Sequence, residues 1–254
     1  KWHEAAFKIA KSYNKILFSS PFSKRSVDLL EKFNVKLYKI ASFEITDLGL
    51  IDYIASKKKL IIISTGMSSI SEIKRAIKAI NKYHNKIIIL HCVSDYPTEL
   101  KKTNLKRINR LKKIFKKNLI GISDHTNDIK SSIAAVPIGV VAIEKHFKIN
   151  NKKTTDSEFS INQKQLSELK KDTIDIFKSA IKENSISEKK NLKLRRSLFA
   201  KKDIKVKDKL NYDNVTSLRP SIGIPASFFF KIMGKRVKKS IRKDQPIYFK
   251  DLTK

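Results

Sequence analysis

His125 and His146 each close a short apolar run, "LIGISDH" and "VVAIEKH", in a chain with only five histidines. Two neutral imidazoles at the ends of neighbouring strands can bind a divalent cation, with water and substrate oxygens completing its shell. The alternative is two histidines hydrogen-bonded separately. Asp124 and Glu144 lie beside them and could orient the imidazoles or bind a hydroxyl. Asp156, in "NNKKTTDSEFS", could be a third ligand, through water, or a general base; a solvated loop aspartate is the plainer reading. Lys39 is internal to the run "YKIAS". A lysine is costly to bury unpaired, so this one reads as a binder of phosphate or carboxylate. Ser20, Ser42, Ser64 and Ser123 stand at the ends of similar runs and could add hydroxyl hydrogen bonds to the same anion.

Such groups act together only if the chain brings them to one place. Six β-branched runs alternate with helical patterns: "KILFSS" (15–20), "KLYKIAS" (36–42), "LIIISTG" (60–66), "KIIILHC" (86–92), "LIGISDH" (119–125) and "VVAIEKH" (140–146). Between the third and fourth, "SSISEIKRAIKAINKY" places Ile70, Ile73, Ile77 and Ile80 at helical spacing, with Ser68 or Ser69 as N-cap and Glu72 as its capping-box partner. Apolar runs separated by single helices imply a parallel sheet. Six units of similar spacing, with no G-x-G-x-x-G after any run, indicate a (β/α) barrel rather than a dinucleotide fold. Ser20, Ser42, Glu44, Ser64, His91, Ser94, Ser123, His125 and His146 all fall at the C-terminal ends of the runs. In a barrel that end is the catalytic face, although a single serine there could equally cap the next helix.

After a helical pattern at 163–184 the texture changes. A polar stretch at 185–194 reads as a linker, and 195–254 as a small β-rich domain with strand-like pieces "SLFAKKDI", "VTSLRP", "GKRVKKSI" and "QPIYFKDL". The 254 residues carry 56 Lys and Arg against 24 Asp and Glu, a formal charge of +32. That balance allows a polyanion partner. The lysines, however, are spread over nearly every helix, with no aromatic RNA-type motif, and read as solvated faces; no nucleic acid is expected. Cys92 is the single cysteine, which excludes an intrachain disulfide and points to a reducing, cytoplasmic setting. No signal peptide or membrane-length apolar run stands out. The chain enters a helical pattern directly at Lys1, as a fragment would.

The motifs "YKIASFEI", "LIIISTGMSSISEI", "LHCVSDYPT", "IGISDHT" and "IEKHF" resemble successive signatures of the sialic acid synthase family. The stretches "RRSLFAKKDI", "SLRPSIGI" and "MGKRVKKSI" resemble that family's C-terminal antifreeze-like (SAF) domain. The resemblance implies a (β/α)8 TIM-type barrel, here lacking its first two strands, followed by the SAF domain. It implies condensation of phosphoenolpyruvate with an N-acylated amino sugar to give a nonulosonic acid and phosphate. His125 and His146 would hold the divalent ion, usually manganese, with magnesium or cobalt as alternatives. Ser20, Lys39, Ser42, Ser64 and Ser123 match the phosphoenolpyruvate-binding set, with Ser20 standing where many members have threonine. Ser94 stands where asparagine is common. Glu44 matches a carboxylate that handles protons near the enol carbon, Asp156 an acid near sugar and metal, and Tyr96 a residue of the sugar site. Arg219 matches an SAF-domain arginine that reaches the partner subunit in a domain-swapped homodimer. Phe43 replaces a glycine of the N-acetylmannosamine branch, and "ASFE" with "DSEFS" leans towards pseudaminic acid; "HCVSDYPT" leans towards the sialic and legionaminic branches.

Overall fold

The computed structural model describes residues 2–149, 153–181 and 188–253. The chain divides into two compact units, Lys1–Lys182 and Glu183–Lys254.

The first unit is built on five parallel strands, β1 (Leu37–Ile40), β2 (Leu60–Ser64), β3 (Ile87–Cys92), β4 (Leu119–Asp124) and β5 (Ile143–Lys145), in the order β1-β2-β3-β4-β5. Helices α1 (Trp2–Ser12) and α2 (Lys24–Glu31) precede them. The four crossovers carry α3 (Leu48–Ala55), α4 (Ile70–Ile80), α5 (Lys106–Ile114) and α6 (Lys130–Ala135), and α7 (Gln163–Ile181) follows β5. A doubly wound sheet reverses its strand order at a switch point. Here the order never reverses, as in a barrel wall.

An ion pair measures the curvature of that wall. β1 and β5 are its two edges, and four inter-strand spacings laid flat would separate them by about 19 Å. Yet Lys39 Nζ on β1 lies 3.2 Å from Glu144 Oε2 on β5. The sheet therefore curls, bringing both edges round to one concave end.

Isoleucine makes this wall. Ile61, Ile63, Ile73, Ile80, Ile89 and Ile108 are buried between sheet and helices, and each fully buried side chain contributes roughly 1.5–3 kcal/mol. Ser69, not Ser68, caps α4: its Oγ accepts from Glu72 N (3.3 Å) while Glu72 Oε2 accepts from Ser69 N (2.7 Å). Asp47 caps α3 by accepting from Leu50 N (2.9 Å).

The first expected strand does not form. Residues 15–20 run beside β1 and give it one backbone hydrogen bond, Lys39 N to Ser19 O (3.3 Å), but no ladder. Five strands stand where six were expected. Paired weakly on one side and largely exposed, the segment gains too little from strand geometry to hold it. The end of the helix expected at 163–184 lies outside the described residues.

In the second unit β6 (Ser197–Ala200) and β7 (Val215–Leu218) pair antiparallel, and α8 (Phe229–Ile232) is a single turn. The expected pieces "GKRVKKSI" and "QPIYFKDL" contribute only isolated bridges, among them Ile204 with Ile241 and Val237 with Leu252. The unit has its own core, centred on Leu198, Ile204, Leu210, Ile232 and Ile247. Residues Lys189–Leu194, expected as linker, form an exposed 3-10 helix.

Candidate active site

The C-terminal ends of β1 to β5 surround a cleft of about 710 Å³. Of the residues singled out in the sequence, Ser20, Lys39, Ser42, Glu44, Ser64, Tyr96, Ser123, His125, Glu144, His146 and Asp156 line it. Strand alternation explains the convergence: in parallel register Ser123 lies opposite Glu144 on the cleft face, and the next inward positions are His125 and His146.

One end of the cleft suits an anion. The Lys39 side chain is 9% exposed and its ammonium meets only one carboxylate oxygen of Glu144 among the described residues, which leaves N–H groups for a ligand. Ser64 Oγ is buried at the cleft floor with no hydrogen-bond partner among the described residues, and so is Glu44 Oε2. Buried polar atoms are normally satisfied, so these two have the character of ligand-facing groups. Ser42 and Ser123 are already engaged. Ser42 Oγ accepts from Gly66 N (3.0 Å) and donates to Cys92 Sγ (3.4 Å). Ser123 Oγ donates to Glu144 Oε1 (2.6 Å). A side chain at Gly66 would place Cβ 2.0 Å from Ser94 Oγ and 2.8 Å from Ser42 Oγ, so glycine is required for this packing.

The other end is a nest of rings. His125 and His146 lie 5.2 Å apart, centroid to centroid, with Tyr96 4.3 Å from His125 and Phe159 4.8 Å from His146. His125 Nδ1 lies 2.9 Å from the Val93 carbonyl, and His146 Nδ1 lies 3.4 Å from Asp156 Oδ2. His125 Nδ1 is engaged and His146 Nδ1 lies near Asp156, so the Nε2 atoms are the ring nitrogens open to a cation. Burial disfavours the imidazolium of His125, but Cys92, the Val93 carbonyl and Glu144 outweigh it and raise the pKa. At His146 burial dominates, the charge of His125 adds to it, and the pKa falls despite Asp156 and Glu144. Among the described residues no three His, Cys, Asp or Glu side chains are arranged to hold a metal ion. Two imidazoles, with Asp156 beside His146, are the side chains here that could hold a cation.

Two expected residues of the first unit fall off the cleft lining. Asp124 does not reach the cleft: it is buried behind it, accepting from Thr126 N (2.9 Å) and Ser132 Oγ (2.6 Å) and pairing with Lys145 (3.1 Å). Outward alternation on β4 points it into the helix layer, away from any hydroxyl in the cleft. Ser94 sits just off the cleft lining, 3.8 Å from Cys92 Sγ. Arg219 belongs to the second unit, exposed directly after β7. Glu144 contacts Lys39 and Ser123 rather than orienting an imidazole. His91, at a strand end, also turns away, with Nε2 2.7 Å from the Thr103 carbonyl. Sequence reasoning passed over Phe159, Phe22, Cys92, Lys145 and Thr155, all of which line the cleft. Cys92 and Lys145 lie within motifs already noted. Phe159 lies in "DSEFS", also noted, and reaches the rings from a short 3-10 helix, Ser157–Phe159.

A parallel barrel wall with an anion pole and an imidazole pair at its C-terminal end defines an α/β enzyme of the TIM-barrel class. Comparison with known proteins gives the family. The NeuB family profile matches residues 1–185 and the SAF domain profile residues 195–253. The chain is 34% identical over 258 residues to the pseudaminic acid synthase of Helicobacter pylori, covering 99% of this chain and 76% of that protein. It is 39% identical over 258 residues to the N,N'-diacetyllegionaminic acid synthase of Campylobacter jejuni, covering 97% and 76%. Among solved structures, a putative spore coat polysaccharide biosynthesis protein E from Chromobacterium violaceum superposes with a TM-score of 0.79 at 25% identity, over 99% of this chain and 78% of that one. The chain belongs to the NeuB family and carries a C-terminal SAF domain.

Proposed function

We propose that the protein condenses phosphoenolpyruvate with an open-chain N-acylated amino sugar, releasing phosphate, and that the product is a nonulosonic acid of the pseudaminic type. One observation carries the reading: a buried cationic and hydroxyl pole, Lys39 with Ser64, shares a cleft with the imidazole pair His125 and His146. Carbon 3 of the enol bonds to the aldehyde carbon, whose oxygen takes up a proton. Water adds at carbon 2, and phosphate leaves with cleavage of its C–O bond. Lys39 and Ser64 hold the phosphate or carboxylate, and Ser20 lines the same wall. Glu144 braces Lys39 and Ser123. Glu44, with an unpartnered carboxylate oxygen among the described residues, is placed to move a proton at the enol carbon. His125 and His146 fit a divalent ion, manganese foremost; the chemistry such an ion supplies when bound is polarisation of the aldehyde oxygen. Tyr96 and Phe159 pack against the imidazoles and brace their orientation.

The preference for a diacetamido-trideoxy sugar rests on Phe43 and Phe22, two exposed aromatic residues on the cleft lining that favour a less hydroxylated substrate. The relatives named pseudaminic acid synthase agree with it; legionaminic and N-acetylneuraminic acid are the alternatives. We place the reaction in the cytoplasm, in keeping with the lone thiol Cys92. A homodimer in which Arg219 of one protomer completes its partner's site follows from the family resemblance. Mixed Arg219→Ala and His125→Ala chains should then regain part of the activity lost by each.

Phosphate release by the full-length protein, assayed with phosphoenolpyruvate, Mn2+ and each candidate sugar, tests the reading. The expected result is phosphate formed only when sugar and metal are both present, fastest with the diacetamido sugars, and abolished by chelation. Phosphate release that ignores the sugar, or none with any of them, refutes it.

A further inference from the structure

Lys145 is the residue before His146, and its ammonium is turned to groups of the protein itself. It bridges β4 by contacting both neighbours of His125: Asp124 Oδ2 at 3.1 Å, and the carbonyl and hydroxyl of Thr126 at 2.5 and 3.1 Å. Three acceptors match the three N–H groups of an ammonium, so it has none left for substrate although it borders the cleft. Asp124 uses most of its acceptor sites. It accepts from Thr126 N, curling the chain round His125, and from Ser132 Oγ at 2.6 Å, which ties it to α6. The pair is enclosed, with side chains 4% and 1% exposed.

Its position gives it a task. β5 is only three residues long and lies at the edge of the sheet, so main-chain pairing alone holds His146 weakly in relation to β4. Asp124 and Lys145 are register partners in the last rung before the two histidines. We infer that the Asp124–Lys145 pair is a clamp that sets the spacing of His125 and His146, positioning both imidazoles for one divalent ion without touching ion or substrate. The inference deepens the proposed metal site and rests on that reading.

Two variants test it. Lys145→Gln shortens the bridge and removes its charge; Ser132→Ala removes the hydrogen bond from α6 and leaves the ion pair in place. Binding of Mn2+ alone to the full-length protein, followed by electron paramagnetic resonance of the free ion, is expected to weaken about tenfold or more in Lys145→Gln and two- to fivefold in Ser132→Ala. Phosphoenolpyruvate affinity measured without metal should change less than twofold, which a general loss of fold would not allow. Mn2+ affinity within twofold of wild type in both variants overturns the clamp. If the wild type itself binds no Mn2+, the metal reading fails, and the clamp is judged by a crystal structure of Lys145→Gln. Imidazoles still 5.2 Å apart there overturn it; a widened or rotated pair upholds it.

Discussion

Successive residues of β5 belong to two lysine–carboxylate pairs of opposite character. Glu144 faces the cleft and meets Lys39, with side chains 37% and 9% exposed. Lys145 faces the helix layer and meets Asp124, both almost wholly enclosed. The first pair leaves its lysine with donors to offer, and the second leaves none. A buried lysine therefore signals binding only where its hydrogen-bonding capacity exceeds what the protein itself uses. A third pair, Lys59 with Glu31 at 2.6 Å, stands 20% and 32% exposed and holds the outer surface together.

The contrast can be broken at each pair in turn. Lys145→Met should have the largest effect on stability, because it strands a buried carboxylate; the expected loss is about 3–5 kcal/mol, read as a lower urea midpoint. Lys39→Met should do the reverse. Water can solvate the freed Glu144, so the stability loss should stay below about 1 kcal/mol, while kcat/KM for phosphoenolpyruvate falls by roughly 10²–10³, as when a preorganised donor is removed. A Lys39→Met protein that unfolds like Lys145→Met but retains its activity would erase the distinction.

The smallest effect belongs to Glu31. Burial works against its charge, but hydrogen bonds from Lys59 and Tyr38 outweigh it and hold its pKa below the ordinary 4.5. A depressed carboxylate stabilises the fold above its unfolded pKa, and that contribution is lost as pH falls through the lower folded value. Glu31→Gln should thus cost under about 1 kcal/mol at neutral pH and nothing once Glu31 is protonated in wild type. Urea titrations of both proteins across the acid range check the convergence.

Much of the site was legible because it is carried by strand ends. Position at the ends of apolar runs marked Ser64, Ser123, His125 and His146, and the parallel arrangement followed from the single helices between runs; the register of the folded sheet puts them, with Lys39, on one face. What misled was direction. Asp124 and His91 also end strands, but alternation turns them outward to Ser132 and the Thr103 carbonyl. The run 15–20 has a strand's composition yet no ladder, with one backbone hydrogen bond to β1 on a single side.

The sequence by itself determined the order of elements, the isoleucine core and the chemical inventory of the cleft, since these depend on local pattern and residue type. Only the tertiary structure decided which groups remain free to act. The curl that brings Lys39 of β1 to Glu144 of β5, the placing of Phe159 against His146, and the sealing of Lys145 by Asp124 and Thr126 join residues far apart in the chain. A hydrogen-bonding group is spent or free according to its neighbours in space, and spacing along the chain does not carry that information.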